Sequence, residues 1–418
     1  MKSEEIKVKH DPFAALRIKE FIFFLTSRFF LTLAIQMQSV IVGWQIYKYT
    51  KDVFALGMIG LAEAIPFIIV SLFAGHVADT FNRKYIIILS TSLLIFCTAS
   101  LLYFSLDTSS VILTYGTLPI FIVIAGVGVI RGFVAAASPS FMSQLLPREL
   151  YANAATWNST FWHVASIIGP AMAGFICIVS FSSAYTVDVV LIVISVICFF
   201  FIGSKPLPKK EKKESLFESL SVGIKFVFSN QLILGALSLD LFAVLFGGAV
   251  SMLPAFADKI LHVGSAELGL LRAAPAFGAV IMALIIAYKP PTKNAGRNLL
   301  ISVGAFGIAT ILFGISTNYY LALFFLFLTG AFDNVSVVIR HTILQLSTPD
   351  EMRGRVSAVN SIFIGSSNEI GSFESGVAAR AMGLKPSIVF GGIMTILIVA
   401  LTAKIAPKLR GLNLKSLH

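Results

Sequence analysis

Charge is scarce in this sequence. Asp, Glu, Lys and Arg make up 13% of 418 residues, 57% are hydrophobic, and the mean hydropathy is +0.88. So little charge excludes an ordinary soluble globular domain. Polar stretches are also few, and only KPLPKKEKKESLFES, residues 205–219, is long. No segment reads as a soluble domain or a nucleotide-binding loop. Energy for any work would therefore come from an ion gradient rather than from ATP bound by this chain, and no cofactor is expected. The cysteines, Cys97, Cys177 and Cys198, are odd in number and lie in apolar runs without ligand spacing, so they read as small apolar residues. The first nineteen residues, MKSEEIKVKHDPFAALRIK, show no cleavable signal, so the first apolar run itself would direct insertion.

What is present is apolar length. A membrane span needs about 20 mostly apolar residues. Twelve runs qualify, near 20–47, 53–77, 85–106, 117–144, 153–180, 182–203, 229–256, 265–288, 297–316, 318–345, 356–383 and 386–407. None alternates with period two, so helices rather than a barrel satisfy the backbone in lipid. The expected fold is an all-α membrane protein. The net charge of +11 is a topology signal rather than a nucleic-acid footprint. With both termini cytoplasmic, 23 Lys and Arg fall on that side and 5 on the other, and Arg28, Arg131, Arg272 and Arg340 lie within spans. Weak attraction to anionic lipid is a by-product.

The linker 205–219 divides six spans from six. One offset of 202 residues aligns Pro147 with Pro349, Glu149 with Glu351, Asn158 with Asn360, Ser159 with Ser361, Gly169 with Gly371 and Gly174 with Gly376. Shared turn, polar and glycine positions indicate a duplicated six-helix unit. The expected organisation is an N-terminal arm (1–19), a first bundle (20–204), the basic linker, a second bundle (220–407) and a tail (408–418). Two such halves can rock about a midplane site, which is transporter architecture.

The stretch GHVADTFNRK, residues 75–84, falls between spans 2 and 3. Asp79 stands at the C-terminal end of helix 2, where the macrodipole repels it. Arg83 and Lys84 obey the positive-inside bias, but Asp79 needs a partner, and Arg355 at the entry to span 11 is the candidate. The pattern Gly75-x-x-x-Asp79-x-x-x-Arg83-Lys84 resembles the signature loop of the major facilitator superfamily. That resemblance implies a latch between the halves that holds the outward-open state closed on the cytoplasmic side. Thr80 and Asn82 depart from the pattern, where a basic residue and a glycine are usual, and they leave the turn geometry open. The plain alternative is a tight loop with a solvated charge run. The segments 253–279 and 348–358, with Gly169-Pro170, look like the bacterial enterobactin-exporter and macrolide-efflux branch. The resemblance covers nearly the whole chain and specifies no substrate.

Several intramembrane groups are site candidates. Pro170 removes a helical hydrogen bond in span 5, and Gly169 and Gly174 permit close helix approach. This pattern resembles the superfamily's antiporter motif, which implies export, and a directionless packing kink is the alternative. Arg131, at the centre of span 4, should face water or a counter-ion. It matches the superfamily's helix-4 arginine, which by resemblance takes part in proton coupling. Asp333 in span 10 and Asp240 in span 7 are candidate coupling carboxylates, Asp333 first, with a static ion pair as the alternative for either. By resemblance, helices 1, 4, 7 and 10 line the cavity. Burial favours a neutral carboxyl and a nearby cation favours an ionised one, so proton exchange near neutral pH is physically available at such sites.

Glu63 with Glu369 and Glu374 form a second acidic set on spans 2 and 11, which adjoin in this fold. On span 1, Gln38 and Gln45 share a face, with Arg28 and Gln36 turned away from it. Lining one cavity and hydrogen bonding between helices are both open to them. His163 reads as a buried packing histidine or a relay, and His262 has no ligand spacing. No metal site is expected. The 37 Phe are mostly lipid-facing bulk, with those on spans 1, 7 and 10 open to an aromatic pocket.

The expected function is proton-coupled efflux of a small amphiphilic compound, a drug or siderophore. The protein would work as a monomer in a bacterial inner membrane, with protons, substrate and lipid as its partners. Siderophore import and a gradient-independent lipid or solute facilitator are the alternatives. Catalytic clusters of His, Ser or Asp are not found, so an enzyme is not expected.

Overall fold

The computed structural model describes residues 11–106, 108–206, 216–349 and 352–414. The start of the N-terminal arm (1–10), most of the basic linker (207–215) and the end of the tail (415–418) lie outside the described residues, as does Glu351 of the repeat. Among the described residues there are helices and turns but no strand.

We number the twelve long crossing helices. The first half holds α1 (Lys19–Thr50), α2 (Val53–Thr80), α3 (Arg83–Phe104), α4 (Leu118–Leu145), α5 (Tyr151–Ile176) and α6 (Phe181–Phe200). The second holds α7 (Gln231–Phe246), α8 (Ser265–Tyr288), α9 (Ala295–Ile315), α10 (Tyr319–Ser347), α11 (Arg353–Met382) and α12 (Leu384–Ile405). Eleven of these segments are long and apolar enough to cross a membrane; α11 is long enough but carries too many Ser, Asn and Glu to qualify by hydropathy. Its polarity has a use, because one face of α11 looks into the space between the halves.

Short polar residues at the turns begin many of the helices. The side chains of Asp52, Asn82, Ser180, Asn230 and Asn318 accept hydrogen bonds from the first-turn amides of α2, α3, α6, α7 and α10. The linker region differs from the sequence expectation. Leu216–Ser229 forms a separate helix before α7, and α7 breaks after Phe246 at Gly247-Gly248 into a 3-10 turn and a π turn that ends at Leu261. Small residues drive the break, since Gly248 lies against the Gly371 carbonyl and the Ser375 hydroxyl of α11, where a Cβ would collide.

We call the face carrying both termini and most Lys and Arg the basic face. The halves meet along two helix pairs, α2 with α11 and α5 with α8. A Cβ at Gly57 would lie 2.9 Å from the Gly376 Cα, and a Cβ at Gly174 would lie 2.9 Å from the Gly269 Cα. Gly174 and Gly376 are repeat mates, so the two crossings are pseudo-symmetric copies of one contact. Both sit toward the face opposite the termini. Small residues are what allow helix backbones to approach this closely in a membrane. At the basic end of the first half, Phe24, Phe141 and Phe199 pack together, while Phe96 and Phe200 are exposed on the outside.

Candidate functional site

A cavity of about 740 Å³ lies at mid-depth between the halves. Its wall draws on α1, α2, α4 and α5 of the first half and on α7 to α11 of the second. Toward the opposite face it is shut by the two glycine crossings and by Asp258, which takes Lys48 Nζ at 2.7 Å and Lys51 Nζ at 2.8 Å from the other half. Lys48 also sits 4.3 Å from the Trp44 ring centroid, a cation–π contact. Among the described residues, no hydrogen bond or ion pair joins the halves on the basic side of Arg131.

Charge in this cavity is largely paired. Arg131 is ion-paired with Glu63 and lies 3.6 Å from Glu369 of the other half. Three residues read separately from the sequence thus form one cluster that spans the halves. An unpaired arginine at mid-membrane costs about 2.5–3.5 kcal/mol on insertion scales, which is the reason for this company. Gly128 permits it by letting α4 lie directly against the Glu63 backbone. Asp240 is ion-paired with Arg340, and their side chains are 9% and 3% exposed. The static alternative for Asp240 therefore has a named partner. Asp333 lines the cavity and forms no ion pair among the described residues.

Several other candidates fall outside the cavity. Gln38 and Gln45 do share a face, but it is turned into the first bundle. Gln38 lines the cavity, while its amide donates to Thr98 at 2.8 Å and Asp188 at 3.2 Å. Gln45 donates to Ser105 at 2.8 Å, accepts from Tyr185 at 2.7 Å, and does not reach the cavity. Arg28 lies in a side crevice with Asn158 and Trp162, 3.4 Å from the Ser138 hydroxyl. Glu374 is half-buried on another face of α11, away from Glu369. The aromatic lining is Phe67, Trp162 and Phe306, from spans 2, 5 and 9 rather than 1, 7 and 10. His163 packs edge-on against Trp162, and His262 makes a left-handed turn. No metal-binding cluster occurs among the described residues.

The loop after α2 is tied down within its own half. Asp79, 69% exposed, pairs with Arg83 at 3.3 Å and not with Arg355. Arg83 also donates to the carbonyls of Ala78 (3.1 Å) and Ser140 (3.5 Å), and Lys84 donates to that of Ile202. Asn82 stands at φ −64° as the cap of α3, so this turn needs no glycine. A Cβ at Gly75 would meet open space. Arg355 lies against Gly223 and bonds Met352 at 3.6 Å. In the helix-5 motif, Gly169 admits α1 at Leu33 and Gln36, and Pro170 and Gly174 face Gly269 of α8.

Two groups that the sequence reading counted among the intramembrane arginines without giving them a role prove to be central, Arg272 and Arg340. Asp188, fully buried beside Gln38, and Asp258 went unremarked. Intramembrane position, the signal that singled out Arg131, applies equally to Arg272, Arg340 and Asp188.

The Major Facilitator Superfamily profile matches residues 24–372. Enterobactin exporter EntS of Shigella boydii serotype 18 is 23% identical over 338 residues, 80% of this chain and 79% of that protein. Its counterpart in Escherichia coli O1:K1 is 24% identical over 339 residues with the same coverage. Among solved structures, a D-xylose–proton symporter superposes with a TM-score of 0.72 at 14% identity, covering 94% of this chain and 99% of the other. A bacterial homologue of the human lysosomal transporter Spinster, inward-facing and unoccupied, gives 0.70 at 15% identity, covering 96% and 98%. With twelve helices in two six-helix bundles around one charged central cavity, the chain belongs to the major facilitator superfamily and is a membrane transporter, not an enzyme.

Proposed function

We propose that this protein exports a small amphiphilic compound, a drug or siderophore, in exchange for protons across a bacterial inner membrane. The observation that carries the reading is Asp333, a carboxylate without an ion-pair partner among the described residues, on the wall of a midplane cavity whose other carboxylates are committed to arginines. Such a group can take a proton or release it as substrate arrives. Only ligands with different affinities for two states shift their balance, so proton and substrate must favour opposite states. The excess of Lys and Arg on the basic face supports placing it, and both termini, in the cytoplasm. The state described above is then inward-facing. Rocking of 1–204 against 220–418 would open the far side and bring Asp79 to Arg355. Similarity to enterobactin exporters supports the outward direction and the siderophore option. One chain encloses the whole cavity, which supports a monomer as the working unit.

The test is uptake into inverted membrane vesicles of a panel of fluorescent amphiphiles and siderophores, with and without an inward-acidic pH gradient. Gradient-dependent accumulation that an uncoupler abolishes, and that Asp333→Asn lacks, is the expected result. Accumulation that Asp333→Asn performs at the normal rate removes Asp333 from the coupling role. Accumulation insensitive to the uncoupler overturns proton exchange.

A further inference from the structure

Two charged groups on the cavity wall are not ion-paired among the described residues, and they have opposite signs. One is Asp333. The other is Arg272 on α8, whose guanidinium donates only to neutral atoms, the Val250 carbonyl at 2.7 Å and the Ser39 hydroxyl of the other half at 3.2 Å. The nearest acid in electrostatic reach, Glu369, is 3.6 Å from Arg131 and shared with it. Helices α8 and α10 both run from the opposite face to the basic face and cross where Gly330 lies against the Pro275 backbone and Gly278 against Phe327. Arg272 therefore lies on the opposite-face side of this crossing and Asp333 on its basic side, on the order of 10 Å apart along the helices, and both line the cavity. They are not in contact with each other. Unpaired charges at mid-membrane are costly and point to a partner that arrives from elsewhere.

We propose that the cavity binds an amphiphilic zwitterion, with its carboxylate on Arg272, its protonated amine on Asp333, and its apolar body against Trp162, Phe67 and Phe306. This rests on the reading of the cavity as the transport site. It also gives the exchange a physical basis, because the substrate's ammonium and a proton compete for one carboxylate. A carboxylate drawn to Arg272 competes with Ser39 for the same guanidinium, so substrate binding loosens a bond that joins the halves.

The experiment uses three probes with one fluorophore and similar chains. Nα-dansyl-lysine is a zwitterion whose carboxylate and free amine lie at opposite ends of its side chain, dansylcadaverine is a cation and 6-(dansylamino)hexanoate an anion. Binding to the purified protein is read by energy transfer from tryptophan, with Trp162→Phe identifying the cavity signal. Dansyl-lysine should bind at least tenfold tighter than either singly charged probe. Arg272→Gln should remove its advantage over dansylcadaverine, and Asp333→Asn its advantage over the anion. Arg272→Lys, which keeps the charge, should retain most of the preference and serves as the folding control. A singly charged probe that binds as tightly as dansyl-lysine overturns the proposal, as does a preference that survives both substitutions or an absence of saturable dansyl-lysine binding. No gradient is needed, so this result is separate from the export test; gradient-driven uptake of singly charged probes alone would sink the zwitterion and spare the exporter.

Discussion

Gly174 of α5 and Gly269 of α8 meet backbone to backbone, one from each half, and their contact repeats at Gly57 and Gly376 on the other side of the cavity. Closure of the far face depends on the absence of four side chains. Gly174→Val places branched carbons where the Gly269 backbone now lies. Overpacking of this kind costs about 1–3 kcal/mol, enough to reduce the closed population roughly five- to 150-fold if the alternative state relieves it. Spin labels at the exposed Tyr115 and Tyr320, on the far face, should report a longer separation in Gly174→Val than in the parent. An unchanged distance distribution would show that the crossing tolerates the bulk.

Lys48 and Lys51 hold Asp258 across the same face, but these side chains are 36%, 51% and 23% exposed. Ion pairs in that setting contribute about 0.2–1 kcal/mol and weaken with salt. Asp258→Asn should therefore move the same spin-label distances modestly toward opening at low salt. In about 1 M salt, where the Debye length is near 3 Å, mutant and parent should converge. A salt-independent difference would assign Asp258 a role other than charge pairing.

The Asp240–Arg340 pair is buried, and the energetic logic inverts. Arg340→Met alone strands a carboxylate and should destabilise the second half by about 3–5 kcal/mol. Adding Asp240→Asn should restore much of the loss, which thermal unfolding of the purified single and double variants measures. If Asp240→Asn instead abolished gradient coupling without lowering stability, Asp240 would share the role given to Asp333.

Gly75 has open space where a side chain would go. Gly75→Leu should leave the unfolding temperature of the purified protein unchanged within about 1 °C, since about 1 kcal/mol shifts the midpoint of a large domain by ~2–4 °C. If the loop after α2 packs against the second half in the other state, the same substitution should slow transport several-fold. Full transport activity in Gly75→Leu would argue against that latch.

The fold was largely legible because lipid imposes two simple demands, apolar length and internal hydrogen bonding. Eleven helices meet that rule; the run 356–383, counted with them by apolar length, is too polar to meet it, and its 202-residue match to α5 is what supports α11. Site residues were legible one at a time. Glu63, Arg131 and Glu369 each stood out as an ionisable group in an apolar run, yet nothing local says that they meet. Gln38 and Gln45 were correctly placed on one helix face, but helical periodicity does not tell which neighbour that face meets. For Asp79 the partner one turn away, Arg83, prevails over the distant Arg355 in this state, because an i,i+4 neighbour needs no movement of the halves.

Sequence by itself determined the number of the crossings, the duplicated plan and the identity of the costly groups. Those properties are set residue by residue through transfer from water to hydrocarbon. Tertiary structure alone decided which charges are spent on one another and which are left over, so that Arg131 and Arg340 are neutralised while Arg272 and Asp333 are not. Coulomb attraction is decided over a few ångströms, and only the packing of glycine-lined helices from two distant stretches of chain brings those ångströms into being.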